Sequence, residues 1–397
     1  MSGERYRGLS DVRRRNRRNI RSLLYRRAPV TRTELAEELG LTLPTVTTSV
    51  AGMLEEGLLV EQPAPSGGGR RPNLLRFNPS AGYALGVELG PYETAVGLYD
   101  LTGEPVVRRI YPAASDGYDE MIETLAGQLA ELAAIAPVPV LGAGIGLPGF
   151  VSREQGIVRA SRTGWTGKPV AGDLFKRLGF PVLIDNNVRM RAAGQELFCG
   201  GGLPDLFAYF FVSKGIACPL IIRNELLSGS TSGAGEIGHM VIQPDGPICP
   251  TCGRRGCLEG VTGETAILRD CGQLLQFGRA AVLREIAGEN PPDMKMVLQA
   301  QEAGDPDVRE VMDRAVGYLG LALAGVVNLI SPGQVLVDGY LFRLPENRET
   351  LLREAQRHFY GLNAQEVAIR FLPFDHYGGA RGAAAAVIER FCIQGDD

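Results

Sequence analysis

One histidine and three cysteines between residues 239 and 257 restrict the fold of this chain more than any other feature. His239, Cys249, Cys252 and Cys257 place four metal-type ligands within nineteen residues. Imidazole and thiolate ligands in that number suit a closed tetrahedral zinc site, whereas a catalytic zinc usually keeps one position open for water. We therefore predict a structural Zn2+ ion held by these four residues. The alternative is a cysteine-rich loop that holds no metal.

The composition indicates a soluble protein with several domains. The chain has 397 residues, of which 45% are hydrophobic and 22% charged, and two or three domains are expected at this length. Its seven cysteines are clustered and odd in number, which favours a metal site in the cytoplasm over a disulfide framework. The arginine-rich N-terminus lacks the apolar stretch of a secretory signal, and no apolar run predicts a membrane span.

Charge is distributed unevenly along the chain. Residues 1–78 contain fourteen arginines against eight acidic residues, which gives them a net charge of about +6. The remainder carries about −10, so that the whole chain has a formal net charge of −4. A small basic segment on a larger acidic body suggests that only the N-terminal segment meets a polyanion.

The N-terminal segment has the pattern of a helix-turn-helix. Residues 12–27 predict a basic amphipathic helix. Thr31 and Glu34 have the spacing of a capping box that starts a second helix, and Gly40 ends that helix. Thr42 can cap a third helix. Two helices joined by a short turn that contains glycine are typical of DNA-binding proteins.

The third helix has an apolar face and a face of small polar residues. The apolar face, which we expect to be buried, consists of Leu43, Val46, Val50, Met53 and Leu54. Small hydroxyl side chains on the opposite face can approach base edges and thymine methyl groups. Two predicted strands follow, and the basic loop between them at 66–71 resembles the wing of a winged helix. The candidate DNA-binding residues are Arg32, Thr45, Thr47, Thr48, Arg70 and Arg71. A small helical interaction module with a solvated basic face is the alternative.

From about residue 80, predicted strands alternate with predicted helices, which indicates the α/β class. The expected strands lie at 83–90, 94–100, 138–149, 180–187, 206–213, 219–222 and 334–339. The expected helices lie within 112–136, from 187 through 193, at 307–330 and at 379–391. Polar side chains follow several strand ends, where ligands of α/β proteins tend to bind.

Four motifs together resemble those of the ROK family, which contains repressors, open reading frames and sugar kinases. They are Glu236-x-Gly-His239, the Cys-Gly-x-x-Gly-Cys-x-Glu run at 252–259, the Gly-x-Gly-x-Pro-Gly loop at 144–149 and the preceding winged helix-turn-helix. The resemblance runs from about residue 10 to the C-terminus. It implies an α/β body with a two-lobed actin-like, hexokinase-type (ribonuclease H-like) fold. The family commonly has Cys-x-Cys, whereas Cys249 and Cys252 are separated by two residues, which should still leave the ligands within reach.

The resemblance also implies how the chain is divided. A winged helix-turn-helix domain is expected at 1–80, and a first lobe at 81–200 that the C-terminal helix at about 376–397 completes. A second lobe at 201–375 is expected to hold the zinc site and an oligomerisation surface, which would make the protein a homodimer or homotetramer.

Sugar contacts follow from the resemblance as well. In the family, both glutamates and the histidine of these motifs touch sugar hydroxyls, while the other ring nitrogen of the histidine binds zinc. Carboxylates accept hydrogen bonds from neighbouring hydroxyls, and the metal fixes the histidine tautomer. The implied sugar-binding residues are Gly149, Asn186, Asn187, Glu236, His239 and Glu259. The alternative is that Glu236 and Glu259 only order the zinc loop.

The chain departs from the ROK kinases where catalysis requires specific groups. The kinases carry a strand end of the type Glu-Asn-Asp, whose Asp accepts the sugar proton, and Asn187 stands at that position here. A carboxamide cannot act as a general base. In the first phosphate loop, Pro91 removes a backbone donor and Glu93 adds negative charge. The second loop at 213–219 has lost most of its glycines, and a later Gly-Gly is Asp338-Gly339.

We therefore expect a sugar-responsive transcriptional repressor with no enzymatic activity. Its expected partners are operator DNA and a sugar or sugar derivative, without a membrane. The loop at 161–168 is expected to cover the sugar, and Arg162 in it hints at an anionic or substituted ligand. One alternative is an active ATP-dependent ROK sugar kinase, with Asp185 as the nearest candidate base. The other is a repressor that responds to a protein partner.

Overall fold

The computed structural model describes residues 8–64, 72–160, 163–198, 202–231, 233–361 and 366–395. The chain divides into two compact units. Unit 1 consists of Met1–Gly202 together with His376–Asp397, and unit 2 consists of Leu203–Asp375. The α/β class is confirmed, because each unit contains a sheet with helices packed on it. The finer predicted boundary at residue 80, between a DNA-binding domain and a first lobe, stays a prediction.

Thirteen α-helices lie in the described parts of the chain. Those of unit 1 that precede unit 2 are α1 (Leu9–Arg27), α2 (Arg32–Leu39), α3 (Leu43–Glu55), α4 (Tyr118–Ala133), α5 (Val170–Leu178) and α6 (Asn187–Phe198). Those of unit 2 are α7 (Leu258–Thr262), α8 (Glu264–Gln276), α9 (Ala281–Ala287), α10 (Met294–Glu302), α11 (Pro306–Ile330) and α12 (Pro345–Arg357). The C-terminal helix α13 (Gly378–Val387) returns to unit 1 and continues as a π-helical segment, Ile388–Ile393.

Fifteen strands accompany these helices in the described ranges. Unit 1 holds β1 (Leu59–Pro63), β2 (Asn73–Phe77), β3 (Tyr83–Leu89), β4 (Glu93–Asp100), β5 (Pro105–Pro112), β6 (Gly142–Leu147), β7 (Phe150–Ser152), β8 (Ile157–Ala160) and β9 (Val182–Asn186). Unit 2 holds β10 (Leu206–Val212), β11 (Ile216–Ala217), β12 (Leu220–Ile222), β13 (Glu225–Leu226), β14 (Gln334–Asp338) and β15 (Ala368–Phe371).

The caps of the N-terminal helices form as predicted. The Thr31 side chain accepts the backbone N–H of Glu34, and the Glu34 carboxylate accepts the N–H of Thr31, so the capping box of α2 is complete. Gly40 ends α2 with φ at 63°, a left-handed conformation that glycine adopts without strain. The Thr42 hydroxyl accepts the N–H of Thr45 at the start of α3.

Helix α3 buries most of its predicted apolar face. The core that α3 shares with α1 and α2 includes Ile20, Leu24, Leu35, Val46, Val50 and Met53. Leu54 is half-buried. The predicted burial of Leu43 was wrong, because this side chain is 47% exposed. Leu43 is the first residue of α3, and a helical side chain covers the surface N-terminal to its own backbone, which at this position lies beyond the core.

Strands β1 and β2 form the antiparallel ribbon expected of a wing. Leu59 lies opposite Phe77 at one end, and Pro63 lies opposite Asn73 at the other. The predicted basic loop of the wing at 66–71, with Arg70 and Arg71, lies outside the described residues.

A five-stranded mixed sheet of order β5-β4-β3-β6-β9 forms the centre of unit 1. Strands β3, β6 and β9 are parallel, so their carboxyl ends meet at one edge of the sheet. Strands β4 and β5 are antiparallel to their neighbours. The sequence did not predict β5, an edge strand that begins and ends with proline, because proline within or beside a run argues against a strand.

Helix α13 lies directly on this sheet because glycines remove the intervening side chains. A Cβ atom on Gly86 would come within 1.8 Å of the Ala380 carbonyl oxygen, and one on Gly144 within 2.0 Å of the Ala383 carbonyl oxygen. The C-terminal helix is therefore an integral layer of unit 1.

The sheet of unit 2 has the order β13-β12-β10-β14-β15, with β11 paired to β10. Strands β10, β14 and β15 are parallel. Helix α11 is central to this unit: it spans 25 residues, and twelve of its side chains or glycines are buried. By length and composition α11 could cross a membrane, contrary to the sequence prediction that no run qualifies, but half of its apolar window is buried inside the protein. Burial against the sheet explains its apolar composition.

Candidate functional site

The four predicted metal ligands lie together in unit 2. One ligand atom from each of His239, Cys249, Cys252 and Cys257 lies within 4.8 Å of every other. The Cys249 sulfur is 3.9 Å from Nδ1 of His239, and the sulfurs of Cys252 and Cys257 are 3.5 Å apart. A disulfide would require about 2.05 Å, whereas two thiolates on one zinc ion lie about 3.8 Å apart. The arrangement therefore fits a four-ligand metal centre, and the longer Cys249–Cys252 spacing keeps both sulfurs in reach.

The backbone around this metal centre folds as the glycine positions require. Isolated bridges join Val241 to Cys257 and Ile248 to Arg255, so the cysteine loop closes on itself as a narrow ribbon. Gly256 has φ at 71°, and a Cβ on it would lie 1.7 Å from the Gln243 carbonyl oxygen. A larger residue at 256 would therefore displace the segment that carries Cys257.

Burial raises the pKa of the Cys257 thiol to about 12 and also raises that of Cys249. Both thiols are therefore protonated at neutral pH in the metal-free protein. A metal ion must displace these protons to bind thiolate, so its affinity should fall as the pH is lowered.

Glu259 lies beside the metal centre in α7 and is 6% exposed. Its carboxylate accepts hydrogen bonds from the Thr251 hydroxyl and, at 3.3 Å, from the Ile216 N–H. Glu259 thus ties the cysteine loop to β11, which is the structural role that the sequence left open for it. Glu236 is half-buried and immediately precedes the short 3-10 turn that carries His239. The sugar contacts of both glutamates stay predictions.

In unit 1, three predicted sugar-binding residues meet where β9 ends and α6 begins. The Asn186 side chain caps α6, because its Oδ1 accepts the N–H groups of Val188 at 2.9 Å and Arg189 at 3.2 Å. Its Nδ2 donates to the Gly149 carbonyl oxygen at 3.0 Å. Asn187 is the first residue of α6 and is half-buried. The structure therefore brings Gly149, Asn186 and Asn187 together, and it brings Glu236, His239 and Glu259 together within unit 2.

Two arginines that the sequence analysis missed neutralise carboxylates at the same edge of the sheet. Arg189 Nε lies 2.9 Å from the Asp185 carboxylate at the end of β9. Arg191 donates two hydrogen bonds, of 2.8 and 2.7 Å, to both oxygens of Glu88 near the end of β3. All four side chains are at least 93% buried. The i,i+4 spacing of Asp185 and Arg189 was a visible signal, but Glu88 and Arg191 are 103 residues apart.

In unit 2, a buried carboxylate contacts the loop at 213–219, which corresponds to the second phosphate loop of the kinases. Glu264 is 2% exposed, and its Oε2 lies 3.2 Å from the Ser213 hydroxyl. The backbone N–H of Glu264 donates to the Ser213 carbonyl oxygen at 3.1 Å. This loop is therefore fixed to the start of α8 by an acidic residue.

The described part of the predicted sugar-covering loop, residues 163–168, is attached to the core of unit 1 through its tryptophan. Trp165 is 2% exposed and donates its indole N–H to the Asp116 carbonyl oxygen at 3.0 Å. Trp165, the only tryptophan in the sequence, packs in the hydrophobic core of unit 1. That the loop covers a sugar stays a prediction, and Arg162 lies outside the described residues.

The predicted DNA-binding residues differ in their availability. Thr47 and Thr48 are exposed on α3, whereas Thr45 is half-buried and its hydroxyl is 2.8 Å from that of Thr42. Arg32 forms an ion pair with Glu61 of β1. Thr47 and Thr48 are therefore the best placed of the described candidates to meet a base.

Replacing one ligand should abolish metal binding. We expect the Cys257→Ala protein to contain much less than one equivalent of divalent transition metal, whereas the wild type contains about one, because three ligands cannot close the shell. Plasma emission spectrometry of protein purified without chelators measures this content. Cys392→Ser is the matched control, since this cysteine lies outside the metal centre. Equal metal content in the Cys257 variant and the wild type would exclude these four residues as the ligands.

Comparison with known proteins identifies the family. The ROK family profile matches residues 84–390, and a winged helix-turn-helix DNA-binding profile matches residues 13–60. The chain is 29% identical to the xylose repressor of Caldicellulosiruptor bescii over 352 residues, which cover 85% of this chain and 87% of that protein. It is 30% identical to the glucokinase of Thermotoga maritima over 77% of this chain and 97% of that enzyme. A crystal structure of a ROK family transcriptional regulator, a homolog of the E. coli MLC protein, has the same fold with a TM-score of 0.79 at 22% identity, covering 96% of this chain and 97% of that one. The chain therefore belongs to the ROK family and carries a winged helix-turn-helix in front of its ROK region.

Proposed function

We propose that this protein is a sugar-responsive transcriptional repressor whose ROK body binds a sugar without phosphorylating it. The observation that carries the proposal is a winged helix-turn-helix combined with Asn187 at the position of the kinase base and with buried ion pairs that occupy Asp185 and Glu88. Operator DNA and a sugar are its proposed partners. We also propose that it acts in the cytoplasm as a homodimer or homotetramer.

DNA recognition is assigned to α3. Thr47 and Thr48 are exposed near the start of this helix, where small side chains let the backbone approach the major groove. Because Arg32 is paired with Glu61, its proposed contact with DNA requires that it exchange this partner for a phosphate. Arg70 and Arg71 are proposed to contact phosphates or the minor groove from the wing.

The metal is proposed to be zinc with a structural role. Three cysteines and one histidine are the ligands of closed structural zinc sites, and four protein ligands leave no position for a substrate. When bound, the ion would fix the His239 ring, whose second nitrogen is then available to a sugar hydroxyl. Glu236 and Glu259 of unit 2 are proposed to accept hydrogen bonds from a sugar, and Gly149, Asn186 and Asn187 of unit 1 are likewise proposed as sugar contacts.

Phosphoryl transfer is not expected because no available base stands at the strand end. Asn187 cannot accept a proton, and the neighbouring Asp185 is 3% exposed and paired with Arg189. A carboxylate oxygen that already accepts a hydrogen bond from a buried guanidinium is not free to take a proton from a sugar hydroxyl. Asp185, the base of the alternative kinase hypothesis, is therefore committed to a structural ion pair.

Nucleotide binding is disfavoured by negative charge at both loops that resemble phosphate loops. In unit 1, Pro91 removes a backbone donor, and Glu93 at the start of β4 adds a carboxylate that pairs with His376 at 2.5 Å. In unit 2, Glu264 is buried under the Ser213 loop. Carboxylates at these positions repel phosphates, which usually bind to backbone N–H groups and cations.

Turnover of ATP tests the absence of catalysis. We expect that neither D-glucose nor D-xylose raises ADP release by the wild-type protein with Mg-ATP above the sugar-free rate in a coupled assay. The Asn187→Asp variant, which restores a carboxylate at the position of the kinase base, should remain inactive as well, because Glu93 and Glu264 still place negative charge at the two phosphate loops. A sugar kinase assayed in parallel provides the positive control. Steady, sugar-dependent ADP release by the wild type would restore the kinase hypothesis.

Binding of a neutral sugar tests the sensor itself. The similarity to a xylose repressor makes D-xylose the first sugar to test, followed by amino, N-acetyl and phosphorylated sugars. A ligand at 100 times its Kd stabilises the folded state by about 2.7 kcal/mol, so the wild-type Tm should rise with one sugar and not with Mg-ATP. Glu236→Gln should remove most of that rise. Glu349→Gln, an equal change at an exposed position of α12, should leave the rise intact. No shift with any of these sugars would refute sugar sensing.

A further inference from the structure

Helix α1 is shared between the DNA-binding helices and the body of unit 1. Ile20 and Leu24 are 0% exposed and pack in one continuous core with Val46 and Val50 of α3 on one side. The same core extends to side chains of the body, which are Tyr99, Leu197, Ala385, Ile388 and Cys392. Because one helix serves both cores, any movement of α1 on the body moves α3 with it.

Polar and aromatic contacts fix the C-terminal end of α1 on the body. The Tyr25 hydroxyl donates a hydrogen bond to the Leu101 carbonyl oxygen. The Tyr25 ring lies 6.4 Å from the ring of Phe198, the last residue of α6. Arg26 Nε lies 3.1 Å from the carboxylate of Glu196, also on α6. Glu196 has 8% of its side chain exposed, and burial raises its pKa, so Arg26 is the cation that holds this carboxylate in place.

The opposite end of α6 is fixed to the strand edge that holds the proposed sugar contacts. Asn186 caps the helix, and the buried pairs of Arg189 with Asp185 and of Arg191 with Glu88 attach its first two turns to β9 and β3. Twelve residues at 1.5 Å each give α6 a length of about 18 Å.

Helix α6 cannot bend freely between these two ends. It crosses α13 in backbone contact, since a Cβ on Gly194 would lie 2.7 Å from the Gly382 Cα. A Cβ on Gly382 would lie 2.0 Å from the Met190 carbonyl oxygen. Because the backbone of α6 rests on α13, a displacement of one end of α6 also displaces the other end.

We infer that α6 is the rigid connection between the Asn186–Asn187 strand end and the DNA-binding helices, and that Arg26 and Glu196 are the positioning residues at its junction with α1. The inference rests on the proposed function in one respect, namely that a sugar acts at Asn186 and Asn187. The mechanical connection itself requires no sugar. Differential affinity of the sugar for two positions of α6 would then change the affinity of α3 for DNA.

A double-mutant cycle in the absence of sugar tests the connection. Hydrogen exchange of the backbone amides at 20–27 is measured in full-length wild type, Asn186→Ala, Glu196→Gln and the double variant. Substitutions more than about 10 Å apart normally act independently. The change in exchange rate of the double variant would then equal the product of the changes in the two single variants, within about twofold. We expect the double variant to depart from that product by more than threefold. The control cycle combines Asn186→Ala with Glu154→Gln, and Glu154 is an exposed residue of unit 1. In this cycle the change in exchange rate of the double variant should equal the product of the single changes. If the exchange rate of the Asn186→Ala, Glu196→Gln double variant agreed within about twofold with the product of the single changes, the inference would be overturned.

The response of DNA binding to D-xylose provides a second readout. We expect saturating D-xylose to change the Kd of the wild type for a DNA fragment, selected from a random pool, by at least about fivefold. Glu196→Gln should reduce that change to below twofold while its Tm still rises with D-xylose. The exchanged pair Arg26→Glu with Glu196→Arg should recover part of the response, which a purely structural defect would not do. An undiminished response in Glu196→Gln would overturn the inference. If the wild type fails to respond, the proposed function fails, and the amide cycle alone decides the connection.

Discussion

Two arginines on one helix neutralise two buried carboxylates at one edge of a sheet, and much of unit 1 depends on these ion pairs. Arg189 and Arg191 attach α6 to the ends of β9 and β3, where a parallel sheet presents its ligand-binding edge. Breaking such a pair leaves an unpaired buried charge, which costs about 3–5 kcal/mol. The same pairs that hold the helix also remove Asp185 and Glu88 from proton transfer and metal binding. This arrangement supports the proposal that the edge does not catalyse phosphoryl transfer.

The cluster of four candidate metal ligands plays the corresponding part in unit 2. The sequence between His239 and Cys257 forms little regular structure, and its shape depends on isolated bridges, tight glycines and the four converging ligands. Glu259 then links this segment to β11 through Ile216. Each unit therefore holds its proposed sugar contacts on a segment that buried polar interactions keep rigid. Rigid contacts suit a sensor, because a ligand can shift an equilibrium only through differences in how it fits the two states.

Local features were predictable from the sequence, and pairings between distant residues were not. The capping box of α2, the end of that helix at Gly40, strands β3 and β4 and the metal ligand set all depend on residues close in sequence. The ion pair of Glu88 with Arg191 and that of Arg26 with Glu196 join residues 103 and 170 positions apart, which no spacing rule detects. Helices α5, α7 to α10 and α12 were not predicted from the sequence. Trp165 lies in the loop that the sequence predicts to cover a sugar, and its side chain is buried in the core of unit 1.

The most direct test of the account is the reciprocity between sugar and DNA binding. Isothermal titration calorimetry gives the Kd of the protein for D-xylose alone and when saturated with a DNA fragment selected from a random pool. If the sugar weakens DNA binding by some factor, thermodynamic linkage requires DNA to weaken sugar binding by the same factor, which we expect to be at least about fivefold. An identical sugar Kd with and without bound DNA would show that the ROK body does not control the winged helix through this sugar, and would contradict the account.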